Sequence, residues 1–135
     1  MKRVEPERPA KPETWDSLLA ARSAEVQEAA HAIAGVVMAE LPDGVVRFDR
    51  ADGLLAFGTS SAMSDLLFAL IPHSRWVNLQ LADGAVLPDP GGLIEGTGKR
   101  IRHVKIRSAE LALSPAVREI VQAQVAARMT GGASR

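Results

Sequence analysis

The hydrophobic spacing of the chain changes after residue 41. Up to that point apolar residues recur at steps of three and four, which places them on one face of a helix. They are Val26, Ala30, Ile33, Val37 and Leu41. Ser23 can cap this helix and Pro42 can end it, while Thr14 can cap a shorter helix at residues 15–21. The spacing leaves open whether residues 15–41 form two helices or one bent helix.

Beyond Gly44, short segments alternate between apolar and polar residues and are separated by turn sequences, a pattern typical of strands. The predicted strands cover residues 45–49, 54–58, 65–71, 76–83 and 100–107. Ser114-Pro115 then begins a last helix that is predicted to end near Gly131. Helices, about five antiparallel strands and a final helix predict an α+β fold, with the N-terminal and C-terminal helices packed on one face of the sheet.

The 135 residues suffice for one domain. Residues 1–13 are rich in proline and charge and are predicted to form a disordered tail, followed by a single domain at residues 14–130 and a flexible C-terminus at residues 131–135. The chain has no cysteine, which excludes disulfides and thiolate metal sites. It shows no secretory signal and no apolar run long enough to cross a bilayer, so we expect a soluble, cytoplasmic protein without a membrane partner.

Charge is balanced overall, with 16 Lys+Arg and 16 Asp+Glu, but it is distributed unevenly. Residues 13–95 carry four basic and twelve acidic side chains, whereas residues 96–109 carry five basic and no acidic ones. The basic residues and one histidine form a strip at positions 99–107. A zero net charge argues against strong nonspecific nucleic-acid binding, and few aromatic residues are available for stacking.

Alternation along the strip places His103, Lys105 and Arg107 in one row on the sheet face away from the helices. Asn78 and Gln80 would add hydrogen-bonding groups if their strand is the neighbour. The candidate ligand-binding residues are Asn78, Gln80, Lys99, Arg100, His103, Lys105 and Arg107. The alternative interpretation is a row of solvated charges on an open sheet face.

Two neighbouring segments bear on this hypothesis. Residues 65–71 are apolar on both faces, so the second face needs a cover, which a subunit, the loop at residues 87–99 or a ligand cavity could supply. The sequence Gly96-Thr97-Gly98-Lys99 suggests a phosphate loop, but it lacks the Walker spacing and precedes a strand. It is interpreted as a glycine-rich connection, with anion binding by Lys99 or Arg100 as the alternative.

Metal and catalytic chemistry have little support in the sequence. The three histidines lie in three different predicted elements, and the serines near His73 lack a nucleophile elbow and an acid partner. We therefore expect no metal and no cofactor, and the sequence favours a non-enzymatic role while leaving enzyme activity open. Glu25 and Glu28 lie one helical turn apart and could join Asp49 and Asp52 around a hard cation, although a solvated acidic helix face explains them as well.

The segment LIEGTGKRIRHVKIRS at residues 93–108 resembles the YdhG-like family of bacterial domains (domain of unknown function 1801). The resemblance begins at about residue 53, and this segment carries most of it. That family is similar in fold to frataxin, and the resemblance implies an antiparallel sheet with helices on one face. One bacterial member is described as an iron chaperone. The resemblance therefore implies iron as an alternative ligand, with Glu25 and Glu28 as the matching positions.

The sequence thus predicts a non-enzymatic domain that binds a small anionic ligand or a protein partner through the open sheet face. A homodimer through the same face is a further option. The alternatives are an iron-binding chaperone of frataxin type and a weak nucleic-acid or anion-binding module that uses residues 99–107.

Overall fold

The computed structural model describes residues 11–133. Its helices within this range are α1 (Trp15–Ala20), α2 (Ala24–Glu40), α3 (Ala109–Ala112) and α4 (Pro115–Ala133). Its strands are β1 (Val45–Asp49), β2 (Leu54–Gly58), β3 (Leu66–Pro72), β4 (Val77–Leu81), β5 (Ile94–Glu95) and β6 (Arg102–Ile106). The α+β prediction is confirmed.

Residues 15–41 form two helices, each with its own side-chain cap. The Thr14 hydroxyl accepts a hydrogen bond from the Ser17 amide in a capping box, and the Ser23 hydroxyl accepts one from the Val26 amide. The predicted apolar stripe of α2 is buried along its length, from Val26 at 1% exposed to Leu41 at 9%. This stripe is the helix face that packs on the sheet.

The six strands form one antiparallel sheet in the order β1-β2-β3-β4-β6-β5. The sequence predicted about five strands and missed β5, which has only two residues and lies in a loop rich in proline and glycine. The Asp89 carboxylate fixes this short strand, since it accepts hydrogen bonds from the amides of Leu93 and Ile94 at 2.8 and 2.9 Å. Pairing of Ile94 with Val104 then completes the edge of the sheet.

One face of the sheet packs against α2 and α4 and forms the core. The predicted alternation of β4 and β6 is confirmed, because their inward residues are at most 1% exposed. These residues are Val77, Leu79, Leu81, Val104 and Ile106. Part of the loop at residues 87–99 lies away from the second face, since Pro88 to Leu93 lie beside Ala116 and Ile120 of α4. This part of the loop does not cover the doubly apolar β3.

Both ends of the domain differ in detail from the prediction. Residues 1–10 of the predicted tail lie outside the described residues, whereas Lys11 donates to the Ala51 carbonyl at 3.1 Å and Glu13 pairs with Arg50 at 2.8 Å. At the other end α4 continues through Gly131 to Ala133, two residues past the position near which the sequence predicted its end. Glycine lowers helix stability by only about 1 kcal/mol, which the packed helix tolerates. Residues 134 and 135 lie outside the described residues.

Among residues 11–133, the helices are all too short or too polar to span a bilayer.

Candidate functional site

The sheet face opposite the helices, here called the open face, brings part of the predicted site together. Asn78 pairs with Lys105 and Gln80 pairs with His103, as the register of β4 against β6 shows. Directly paired residues on one face have Cβ atoms about 5 Å apart, so these four side chains are neighbours. The predicted adjacency of the two polar residues to the basic row is confirmed. The bordering position on β5 is Glu95, which pairs with His103.

Trp76 organises the end of this row where β3 turns into β4. The Lys105 ammonium lies 4.8 Å from the centroid of the Trp76 ring, and the Arg107 guanidinium carbon lies 5.3 Å from it. The His73 ring is 5.3 Å away at an interplanar angle of 32°. The indole Nε1 donates to Asn78 Oδ1 at 2.7 Å. Together these five residues are called the tryptophan cluster.

The tryptophan cluster carries a positive charge that nearby acids offset only in part. Lys105 lies 3.6 Å from a Glu95 oxygen, and within residues 11–133 Arg107 has no carboxylate oxygen within 4.0 Å. Burial lowers the pKa of His73, and the positive charges of Arg22, His103 and Lys105 lower it further. His73 is therefore neutral at pH 7, and its Nε2 atom is buried without a hydrogen-bond partner in the described structure.

Lys99 and Arg100 lie at the opposite end of the strip and are not brought into the row. The eight residues from Arg100 to Arg107 span about 23 Å when extended. Arg100 Nη2 donates to Asp83 Oδ1 at 2.9 Å, and Arg128 Nη2 lies 3.3 Å from the other Asp83 oxygen. The exposed Lys99 has no ion pair with the described residues. The predicted site therefore divides into two groups at the two ends of β6.

Asp83 is the centre of the second group. Its amide donates to Gln124 Oε1 at 2.8 Å, and Gln124 Nε2 donates to Asp83 Oδ2 at 2.7 Å. Burial by itself would raise the pKa of Asp83, but hydrogen bonds from Arg100 and Gln124 and the charge of Arg128 lower it overall. These contacts tie the loop before β6 and the helix α4 to the end of β4. The term Asp83 network is used below for these four residues.

The glycine-rich segment before β6 connects two strands, as the sequence predicted. It runs from β5 to β6, and the Gly98 carbonyl accepts a hydrogen bond from Arg102 Nε at 2.7 Å. Gly96 has a φ of 116°, which side-chain-bearing residues rarely adopt. No helix follows the segment directly, so the loop lacks the helix N-terminus on which a Walker loop depends.

A cavity of about 240 Å³ lies on the open face beside the Asp83 network. Its lining includes Leu67, Ala69 and Gln80 from the sheet and Ala82 just after β4, with Met63 of the short turn Met63–Asp65 and Ile101 of the loop before β6. Arg100 and Arg128 also line it. The apolar residues on the second face of β3 thus line a cavity. A ligand cavity was one of the three options for this face that the sequence did not decide between.

Sequence reasoning missed Met63, Ile101 and Arg128 as candidate site residues. Met63 and Ile101 lie 38 residues apart in the chain, and Arg128 lies on α4, 27 residues beyond Ile101. No local pattern marks them, because tertiary packing alone brings them to one cavity. The role of His73 was also missed, because its position directly after Pro72 marks only a turn.

The carboxylates considered for iron do not form a cluster. Glu25 and Glu28 are exposed on α2, and Asp49 Oδ1 accepts a hydrogen bond from the Asp52 amide within the β1–β2 turn. Within residues 11–133, no group of three or more histidine, cysteine, aspartate or glutamate side chains is placed to hold a metal ion.

Comparison with protein-family models, with curated proteins and with solved structures finds no match to this chain. The resemblance to the YdhG-like family therefore stays a prediction, and the geometry of the open face carries the functional argument.

Proposed function

We propose that this protein is a non-enzymatic binding domain that holds a small anionic ligand on its open face, at the tryptophan cluster. One observation carries the proposal: Lys105 and Arg107 both lie over the ring of Trp76, and one carboxylate, at 3.6 Å from Lys105, accompanies them. A ring face attracts a cation but does not neutralise it, so the pair keeps its charge for a ligand.

The arrangement also lowers the cost of binding an anion. Long basic side chains lose rotamer freedom when they bind a ligand, and contact with the Trp76 ring restricts Lys105 and Arg107 beforehand. Asn78 is held by the indole N–H, so its side-chain NH₂ remains available as a donor. Cations and amide donors are the groups that recognise carboxylates and phosphates, which makes an anion the ligand of this surface.

Titration with inorganic phosphate tests the proposal. In a Trp15→Phe background Trp76 is the single tryptophan, so its fluorescence reports binding at the tryptophan cluster. We expect saturable binding that weakens about fivefold in Arg107→Ala, since an exposed charge pair contributes about 1 kcal/mol. Arg118→Ala is the matched control, because Arg118 is an exposed arginine on α4, outside the tryptophan cluster.

Equal affinity of Arg107→Ala and Arg118→Ala for phosphate would contradict the proposal, and so would the absence of saturable binding. A uniform loss in both variants would show that phosphate responds to total charge and not to this surface.

A further inference from the structure

Gln80 lies between the cavity on the open face and the tryptophan cluster. Gln80 lines the cavity and pairs across the strands with His103. Asn78, two residues further along β4, belongs to the tryptophan cluster and lies about 7 Å from Gln80. A single ligand of modest length can therefore reach from the cavity to the cations.

The lining of the cavity is suited to an apolar group. Its floor includes the apolar side chains of Leu67 and Ala69, and its walls include Met63 and Ile101, which are 74% and 53% exposed. Exposed apolar side chains that adjoin an apolar concavity are typical of a ligand-binding groove. A ligand in the cavity would cover both walls at once.

The volume sets the size of that group. A cavity of about 150 Å³ accommodates benzene, which has six heavy atoms. At the same packing, the 240 Å³ of this cavity accommodates about ten heavy atoms. This is larger than a simple inorganic anion and smaller than a complete lipid.

The charged residues around the cavity indicate the sign of the charge on the polar end of the ligand. Arg128 donates to the Ser64 carbonyl at 3.0 Å as well as to Asp83, so it is committed within the fold. Asp83 offsets one of the two arginines at the cavity, and the remaining positive charge faces the open side with Arg100, whose side chain is 73% exposed. No acidic side chain lines the cavity within the described structure, so an anion is favoured there over a cation.

We infer that the ligand is an amphipathic monocarboxylate whose apolar body of about ten heavy atoms lies in the cavity and whose carboxylate reaches the tryptophan cluster. This inference rests on the proposed anion site and names its ligand class. The body packs on Leu67 and Ala69 between Met63 and Ile101, while the carboxylate lies beyond Gln80 against Lys105.

Calorimetric titration with straight-chain carboxylates, from butanoate to dodecanoate, tests the inference. We expect the affinity to rise about threefold for each added methylene. This gain is somewhat smaller than full burial of a methylene would give, because the cavity opens to solvent. The gain should end near decanoate, where the cavity is full. Arg107→Ala should weaken octanoate and phosphate by the same factor, since both anionic groups use the same cations.

Two variants change the cavity without touching the tryptophan cluster. Ala69→Leu fills the floor and should abolish the dependence on chain length while phosphate affinity stays unchanged. Ile101→Ala removes a half-exposed wall, which does not threaten the fold, and should reduce the gain per methylene. Leu113→Ala is the matched control, because Leu113 is 55% exposed and lies outside the cavity.

The outcomes separate the two proposals. Octanoate that binds no more tightly than butanoate, with phosphate still binding at the tryptophan cluster, would overturn the inference and leave the anion site standing. An undiminished gain per methylene in both Ala69→Leu and Ile101→Ala would also overturn it. If neither phosphate nor butanoate binds, the proposed function itself fails.

Discussion

The two ends of β6 use the same kinds of residue in different ways. At one end, Arg100 and Arg128 converge on the two oxygens of Asp83. At the other, Lys105 and Arg107 converge on the ring of Trp76. At the Asp83 end the positive charges form ion pairs within the fold. At the Trp76 end the ring orients the positive charges but is itself uncharged.

This difference follows from what each central residue can accept. A carboxylate has about four lone-pair sites and a full negative charge, so it can accept from several donors and offset one of the positive charges around it. An aromatic ring offers the weak negative potential of its face, and it has no charge with which to neutralise a cation. A stretch that sequence counting treats as one basic strip therefore contains a structural end and an end that is available for a ligand.

The largest expected effect tests the structural end. Asp83→Ala removes the partner of Gln124, which is fully buried, and leaves Arg128 without its carboxylate. Hydrogen bonds to a charged group contribute about 1.5–3 kcal/mol, so we expect the free energy of unfolding in urea to fall by about 2 kcal/mol. Asp43→Ala, at an exposed aspartate, is the control and should change it by less than about 0.5 kcal/mol. A similar small change in Asp83→Ala would show that the network does not stabilise the fold.

The second prediction concerns the other end. Trp76→Leu removes the ring beneath Lys105 and Arg107 and the indole N–H that holds Asn78. Cation–π contacts of this kind contribute about 0.5–1 kcal/mol each, so we expect unfolding to become easier by about 1 kcal/mol, less than for Asp83→Ala. Phosphate affinity should fall severalfold, as measured by NMR titration, because the two cations lose their common orientation.

Trp76→Phe sharpens the same comparison. It keeps an aromatic face for the cations but removes the donor to Asn78, so its phosphate affinity should lie between those of the wild type and Trp76→Leu. If Trp76→Leu binds phosphate as the wild type does, the ring does not organise the site and the contrast between the two ends is wrong.

Most of the fold follows from local pattern. The stripe of α2, the caps at Thr14 and Ser23 and the alternation of β4 all depend on residues a few positions apart, where spacing and side-chain chemistry determine structure directly. The strand β5 was missed because two residues contain no period, and its position depends on the Asp89 carboxylate several residues earlier.

Only the part of the candidate site that depends on strand alternation was predictable from the sequence. Alternation placed His103 and Lys105 on one face, and their pairing with Gln80 and Asn78 followed once β4 was the neighbour of β6. It could not show that Arg100 is held by Asp83, since the two residues are 17 positions apart in the chain. Nor could it bring Arg128 to the cavity, because that contact depends on how α4 packs.

The smallest expected effect concerns His73, which lies beside Trp76 with its Nε2 atom buried and unpaired. Burial and the charges of Arg22, His103 and Lys105 lower its pKa in the folded protein, so the unfolded chain binds a proton more readily. The His73 contribution to stability is therefore lost as the pH falls from 6.5 towards the lowered pKa, with a slope below the one-proton limit of about 1.4 kcal/mol per pH unit.

His73→Phe keeps a ring beside Trp76 but cannot titrate, so its melting temperature should fall less than that of the wild type between pH 7 and pH 5. The exposed His31 on α2 provides the control, and His31→Gln should follow the wild-type profile. Parallel profiles of His73→Phe and the wild type would contradict the expectation, because they would show that neither burial nor the neighbouring cations lower the pKa of His73.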